Sequence, residues 1–422
     1  MRKTFRQIAI AAVAASIGSL AVAADNVKIA FIDPLSGPFA TTGSNGLKLF
    51  EFGADYLINQ KGGVLGGRDM EIVAFDNKIS PKESLIQLQV AIDQGIRFIT
   101  QGNSSGVANA LTEAIDKHNR RNPEKRVLFL NYAAVDPALT NDKCNFWHFR
   151  FDAHADIKMD ALTDVLKDEP EIKKIYVIGQ DYSFGKAVAE AASSMLAAKR
   201  PDIEIVGNEL HPIGKVKDFT PYARKIVSSG ADAVITGNWG SDMLGLGKAI
   251  IDAGFKGPIY TYYAAADGIT AAFGEQGKGI LRVVSEGAIN PTPTPMVIEV
   301  VEAFKAKYPD GNMSQNRIFN TLQMLAAAID RAGTADDVVK IAQALEGMEF
   351  DSIWGSKLMM RPQDHQIIQD VHIFVHTDEG IYPGSGPHVF DMDNSGYGLV
   401  VEKTVKMASA DIATSCKMER PE

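Results

Sequence analysis

Arg97 to Lys117 reads RFITQGNSSGVANALTEAIDK and changes period in its middle. Phe98 and Ile99 close a short apolar run of strand character, and Gly102-Asn103-Ser104-Ser105-Gly106 turns the chain. Val107, Leu111, Ala114 and Ile115 then recur at helical spacing. Asn103, Ser104 and Ser105 therefore sit where a strand hands over to a helix. A helix start leaves its first amides without intrahelical partners and carries the positive end of the dipole. The turn is a ready anion site, and two hydroxyls add donors.

Outward from this turn the same alternation repeats. Val27 to Pro34 reads as a strand broken at its proline, residues 36–43 (SGPFATTG) as a loop, and Gly46 to Asn59 as a helix. Met70 to Phe75 is a strand, Pro81 opens a helix through Asp93, and Val127 to Leu130 is the next strand. Strands alternating with helices predict a parallel, doubly wound sheet. Ligands on such sheets bind beyond the carboxyl ends of the strands, where SGPF, GNSS and Asn131-Tyr132-Ala133-Ala134 all fall.

A second unit begins at Lys174 to Gly179 and continues through Ile203 to Val206 and Ala233 to Thr236. Its strand ends carry Asp181-Tyr182-Ser183-Phe184, Gly237-Asn238-Trp239 and Tyr262-Tyr263. The two halves echo one another in pattern rather than in sequence. After Pro291 to Pro295 the spacing predicts helices over 296–308, 315–332 and 335–345, then strand-like residues 371–376 and 389–405. Seven aromatics, Phe39, Tyr132, Tyr182, Phe184, Trp239, Tyr262 and Tyr263, cluster at strand ends, which suits the apolar walls of a cleft.

Of the 422 residues, 45% are hydrophobic, enough for two domains. Residues 1–23 have the form of a signal peptide: Arg2, Lys3 and Arg6, an apolar stretch from Ile8 to Leu20, then Ala21-Val22-Ala23. An exported, soluble chain is expected, with no nearby cysteine for a lipid anchor. Removing the leader's three cations takes the formal charge from −9 to −12, which argues against nucleic acid or anionic membrane as partners. Cys144 and Cys416 are either a disulfide closing a 272-residue loop or two free buried thiols; an oxidising compartment favours the bond.

Other motifs in the chain admit different readings. GNSSG also fits the G-x-S-x-G elbow of a secreted α/β serine hydrolase with Ser104 as nucleophile, served by Asp364 or Asp370 with His388. No His-Gly oxyanion segment precedes the turn, and the second half has no role in that reading. Asp391-Met392-Asp393-Asn394-Ser395-Gly396 with Glu402 has calcium-loop spacing. Its β-like flanks make it a hairpin turn instead. The eight histidines show no metal spacing, and neither a metal nor a cofactor is expected.

Several longer motifs, in order, resemble the leucine/isoleucine/valine-binding proteins that feed branched-chain amino acid ABC importers. SGPFATTG, GADYLINQKGGVLGG, GNSSGVA, DPALT, FRFD, DYSFG and GADAVITG carry the likeness across nearly the whole chain after the leader. It implies a non-enzymatic, monomeric periplasmic protein serving a permease and an ATPase. Two Rossmann-like lobes of the α/β class, linked by a multi-strand hinge, would close on a ligand between them. The lobes would be 24–150 plus 288–350 and 151–287 plus 351–400, with a C-terminal tail over 401–422. Ser105 matches the family's carboxylate-binding serine, and Ala133 and Ala134 its alanines; Val135 replaces a threonine. Phe184 and Trp239 stand at tyrosine positions, and the acid that would pair with a ligand ammonium falls near Ala264, with Asp267 or Asp181 as possible substitutes. A site without that acid should prefer a carboxylate without an amine, such as an aromatic acid, because an unpaired buried ammonium is costly.

Overall fold

The computed structural model describes residues 25–265, 268–286, 294–379 and 391–421. The leader at 1–23, Asp267 and His388 lie outside them. Five strands, β1 (Val27–Asp33), β2 (Met70–Asp76), β3 (Phe98–Gln101), β4 (Leu128–Asn131) and β5 (His148–Arg150), form a parallel sheet in the order β2-β1-β3-β4-β5. A second sheet holds β6 (Lys174–Gln180), β7 (Glu204–His211), β8 (Ala233–Thr236), β9 (Ile259–Thr261) and β10 (Leu281–Glu286). Its parallel strands run β7-β6-β8-β9-β10, so each sheet changes winding direction next to its own first strand. Crevices at such switch points are where doubly wound sheets take ligands.

Local chemistry accounts for the elements. β3, β4 and β8 are buried throughout, as expected of strands covered by helices on both faces. The helix Pro81–Asp93 starts with Ser80 accepting the Glu83 amide at 3.3 Å and with proline at its first position. One expected loop is shorter than its sequence suggests. Residues 40–43 are already helical, because a Cβ on Gly43 would fall 1.8 Å from the Pro34 carbonyl oxygen and glycine has none. That close approach seats the Ala40–Phe52 helix directly after β1.

Three small strands, β11 (Glu349–Asp351), β12 (Lys357–Met360) and β13 (Ile367–Ile368), form an antiparallel sheet that hydrophobic pattern alone did not suggest. Trp354, Leu358, Met360 and Ile367 belong to the core of the first lobe, whereas Ile368, Val371 and Ile373 belong to the second. The return to the second lobe thus lies at 367–368, later than the expected 350–351. β14 (Val371–Thr377) and β15 (Gly398–Val405) then extend the second sheet antiparallel beyond β10. The stretch after 400 is therefore still strand, and the tail proper begins after Val405.

Residues near the crossovers are tied closely. The Arg150 amide donates to the His365 carbonyl at 2.9 Å, and its buried guanidinium donates to Gln366 Oε1 at 2.7 Å and the Asp136 carbonyl at 2.6 Å. Burial pulls that guanidinium down to about 10. The tail crosses back: Ala410 packs in the second lobe, Met418 against the first, and Cys416 is bonded to Cys144. Replacing both cysteines by serine should lower the unfolding free energy by up to about 5 kcal/mol in the chain-entropy model. Urea unfolding checks this: reductant should destabilise the native protein and leave the double variant unchanged.

Candidate functional site

Asp33 ends β1 fully buried, and its carboxylate organises the turn after β3. Oδ2 accepts the Gly102 amide at 3.1 Å and the Tyr132 hydroxyl at 2.6 Å; Oδ1 accepts the Asn103 amide at 3.0 Å. Burial pushes the carboxyl up to about 7, against the pull of these donors. With the first two amides of the turn engaged, those of Ser104, Ser105 and Gly106 have no partner among the described residues. Ser104 holds φ at 81°, a left-handed value that costs a non-glycine residue about 1–3 kcal/mol. Its hydroxyl caps no helix amide. Ser105 Oγ accepts the Asp136 amide at 3.2 Å, leaving its own hydrogen free to donate.

A cavity of about 60 Å³ lies between this turn and the second lobe, room for several waters at roughly 10–15 Å³ each. Asn103, Ser104, Ser105, Ala133 and Val135 line it from the first lobe. Facing them are Tyr182, Phe184, Trp239, Tyr262 and Tyr263. These rings support one another. Phe184 stands edge-on to Tyr262 and Tyr263, with centroids 5.7 and 5.9 Å away, and the Trp239 indole donates to the Tyr182 hydroxyl at 2.8 Å. Tyr263 reaches across to the Ala133 carbonyl of the first lobe at 3.1 Å.

Three expected residues lie elsewhere. Tyr132 is a core ring beneath the turn, packed on Gly102 and donating to Asp33, while the next residues, Ala133 and Ala134, meet the cavity. Asp181 is half exposed and pairs with Lys186 at 3.2 Å, so it does not charge the cavity. Phe39 does not line the cavity but seals its edge: its ring lies 4.3 Å from that of Trp239, between Gly214 and Gly240 of the second lobe.

Other residues escaped the sequence reading. Thr42, Ser285, Ser314, Gln315 and Arg317 also line the cavity. Arg317 is the one charged lining residue among those described. It belongs to a buried cluster in which Lys158 pairs with Asp152 at 2.7 Å and Glu286 at 2.9 Å, while Arg317 reaches Glu286 at 3.0 Å and Asp152 at 3.5 Å. Two cations face two acids. Burial and the neighbouring Glu286 push Asp152 up to about 7; burial also raises Glu286, but Lys158 and Arg317 outweigh it and hold that carboxyl low.

The chain matches the periplasmic binding protein family model over residues 26–380. A leucine/isoleucine/valine-binding protein homologue of Brucella abortus is 31% identical over 99% of both chains. The chain belongs to the leucine/isoleucine/valine-binding family of periplasmic binding proteins. A solved structure of the Brucella ovis leucine-, isoleucine-, valine-, threonine- and alanine-binding protein, in its closed conformation, superposes with a TM-score of 0.81 at 30% identity, covering 94% of this chain and all of that one. A Rhodopseudomonas palustris solute-binding protein in complex with benzoate shares the fold at a TM-score of 0.77 and 18% identity, covering 93% and 99% of the two chains. Membership brings a small-molecule ligand, a periplasmic place and an ABC transporter as partner; the relatives are binding proteins, not enzymes.

Within this periplasmic binding protein the alternative motif readings lose their parts. Asp364 gives both oxygens to Arg361, and Asp370 serves Lys406 and the Met407 amide, so neither orients a histidine toward Ser104. Asp393 accepts from Gly268, Thr270 and Asn312, leaving its carboxylate no room for calcium. Met392 and Tyr397 pair antiparallel around that turn. Among the described residues no group of three acidic, histidine or cysteine side chains could hold a metal, and no helix is long and apolar enough to cross a membrane.

Phe39 carries a prediction about motion. Truncating it to alanine removes a ring–ring contact between the lobes and should shift their equilibrium toward the open form by roughly 1 kcal/mol. Gly240→Ala should act the same way, since its Cβ would fall 2.7 Å from the Phe39 ring. Small-angle scattering of the unliganded variants should give a larger radius of gyration than the parent; an unchanged radius would limit the ring to local packing.

Proposed function

We propose that this binding protein captures a small carboxylate with an apolar or aromatic body and without an amine, for delivery to its ABC importer. The carboxylate meets the hydroxyls of Ser104 and Ser105 and the free amides of their turn, with the Val135 amide beside them. The body lies among Tyr182, Phe184, Trp239, Tyr262 and Tyr263, and closure of the second lobe removes it from water. The carrying observation is the charge of the walls: among the described residues no carboxylate lines the cavity, and the one charged side chain there is cationic. Asp152 and Glu286, close behind Arg317, are already matched by Lys158 and Arg317. Among the described residues a buried ammonium would meet no free carboxylate, and such an unpaired charge costs several kcal/mol, on the order of a thousandfold in affinity.

The relatives' names favour leucine, isoleucine and valine as ligands. Calorimetry decides between the two classes. Benzoate-type acids should bind one-to-one without turnover while leucine binds at least a hundredfold more weakly; the reverse order would replace the aromatic-acid reading by the amino-acid one. Ser105→Ala should weaken the binding of benzoate at least tenfold, since one hydrogen bond to a charged group contributes about 1.5–3 kcal/mol.

A further inference from the structure

The cavity has a second polar wall, distant in sequence from the serine turn, and we propose that it is a second ligand subsite that takes an oxygen acceptor carried on the ligand's body. Ser314 is 7% exposed and lines the cavity, and its hydroxyl has no hydrogen-bond partner among the described residues. A hydroxyl buried that way is unfavourable unless something else supplies its partner. Three residues on, Arg317 also lines the cavity. Its Nη1 donates to Glu286 at 3.0 Å, its Nη2 to Gln315 Oε1 at 3.1 Å, and its Nε faces Asp152 at 3.5 Å. A guanidinium has five N–H groups, so one hydrogen on each terminal nitrogen is left for a further acceptor.

Both groups offer hydrogens, and the third polar neighbour, Gln315, already spends its carbonyl on Arg317. The wall therefore selects an acceptor: a hydroxyl, an amide carbonyl or a second carboxylate. Its rigidity comes from the cluster behind it, where Glu286 and Asp152 fix the guanidinium plane and Tyr263 lies under it at 6.0 Å. This subsite rests on the reading of the cavity as the ligand site and refines it: the body is apolar along the aromatic wall and bears one oxygen where it meets Ser314 and Arg317. A site built to bond such an oxygen discriminates strongly against the analogue that lacks it, because its donors are then left unpaired.

Isosteric pairs test the subsite directly. Calorimetry on the parent protein and on Ser314→Ala would compare 4-methyl- with 4-hydroxybenzoate, 3-methyl- with 3-hydroxybenzoate, and leucine with asparagine. In a pair that binds, the oxygen-bearing member should bind at least tenfold more tightly. Ser314→Ala should shrink that preference to within about threefold, the oxygen-bearing member losing affinity relative to the methyl member. Arg317→Lys, which keeps the charge balance of its cluster, should reduce the preference in the same direction. The proposal is overturned if the methyl member binds as tightly or more tightly in every pair, or if Ser314→Ala weakens both members alike. Binding confined to the leucine and asparagine pair would remove the amine-free reading, and the subsite would then be judged by that pair alone. Binding by none of the six overturns both.

Discussion

A single buried carboxylate sets the geometry on which the cavity depends. Asp33 closes the first strand at the point where the sheet reverses its winding, and it holds two consecutive amides and a tyrosine hydroxyl from the neighbouring loops. Those three donors are a large return for one acid, and they are why an acid can sit in an apolar strand end at all. By taking the amides of Gly102 and Asn103 it leaves the next ones pointing onward, at a turn where the Gln101 side-chain amide meets the Asn103 and Ser104 carbonyls and Ser104 keeps a left-handed backbone angle. The anion turn is thus prepared before any ligand arrives, with its ordering cost already met by the fold.

A similar economy governs the crossovers. Lys158, Asp152, Glu286 and Arg317 come from both lobes and from the passages between them, and none would be tolerable alone in such a dry place. Together their formal charges cancel. Only the outer face of Arg317 reaches the cavity, so the protein shows its ligand a cation whose cost is largely covered from behind. Ion pairs of this kind add little net stability, but they fix orientation, which is what a recognition wall needs.

Much of the architecture was legible from local pattern. The change of period between Ile99 and Val107 located the turn, and the recurrence of strand and helix after Lys174 located the second lobe. The halves proved to share a strand order that no residue-by-residue likeness reveals. Where reading failed, the reason was the same each time: side-chain direction and distant partners are not encoded in short windows. Tyr132 and Ala133 are neighbours facing opposite ways, and Asp181 turns outward to Lys186. Arg317 sits in a helix start whose spacing says nothing of Asp152 and Glu286, so its place in the cavity left no local trace. Gly43 is the reverse case, a small residue in a supposed loop that was in fact making room for a helix.

The tail leaves one more mark on how the molecule can move. It departs from the edge strand of one lobe, is gripped by Arg361 through the Ile412 carbonyl, and is bonded through Cys416 to Cys144, a few residues before the first crossover. A tether fastened that close to the crossovers would oppose separation of the lobes more than rotation about those crossovers. The covalent link thus adds to the crossovers a further tie between the two lobes, set where a rotation about them would displace it least.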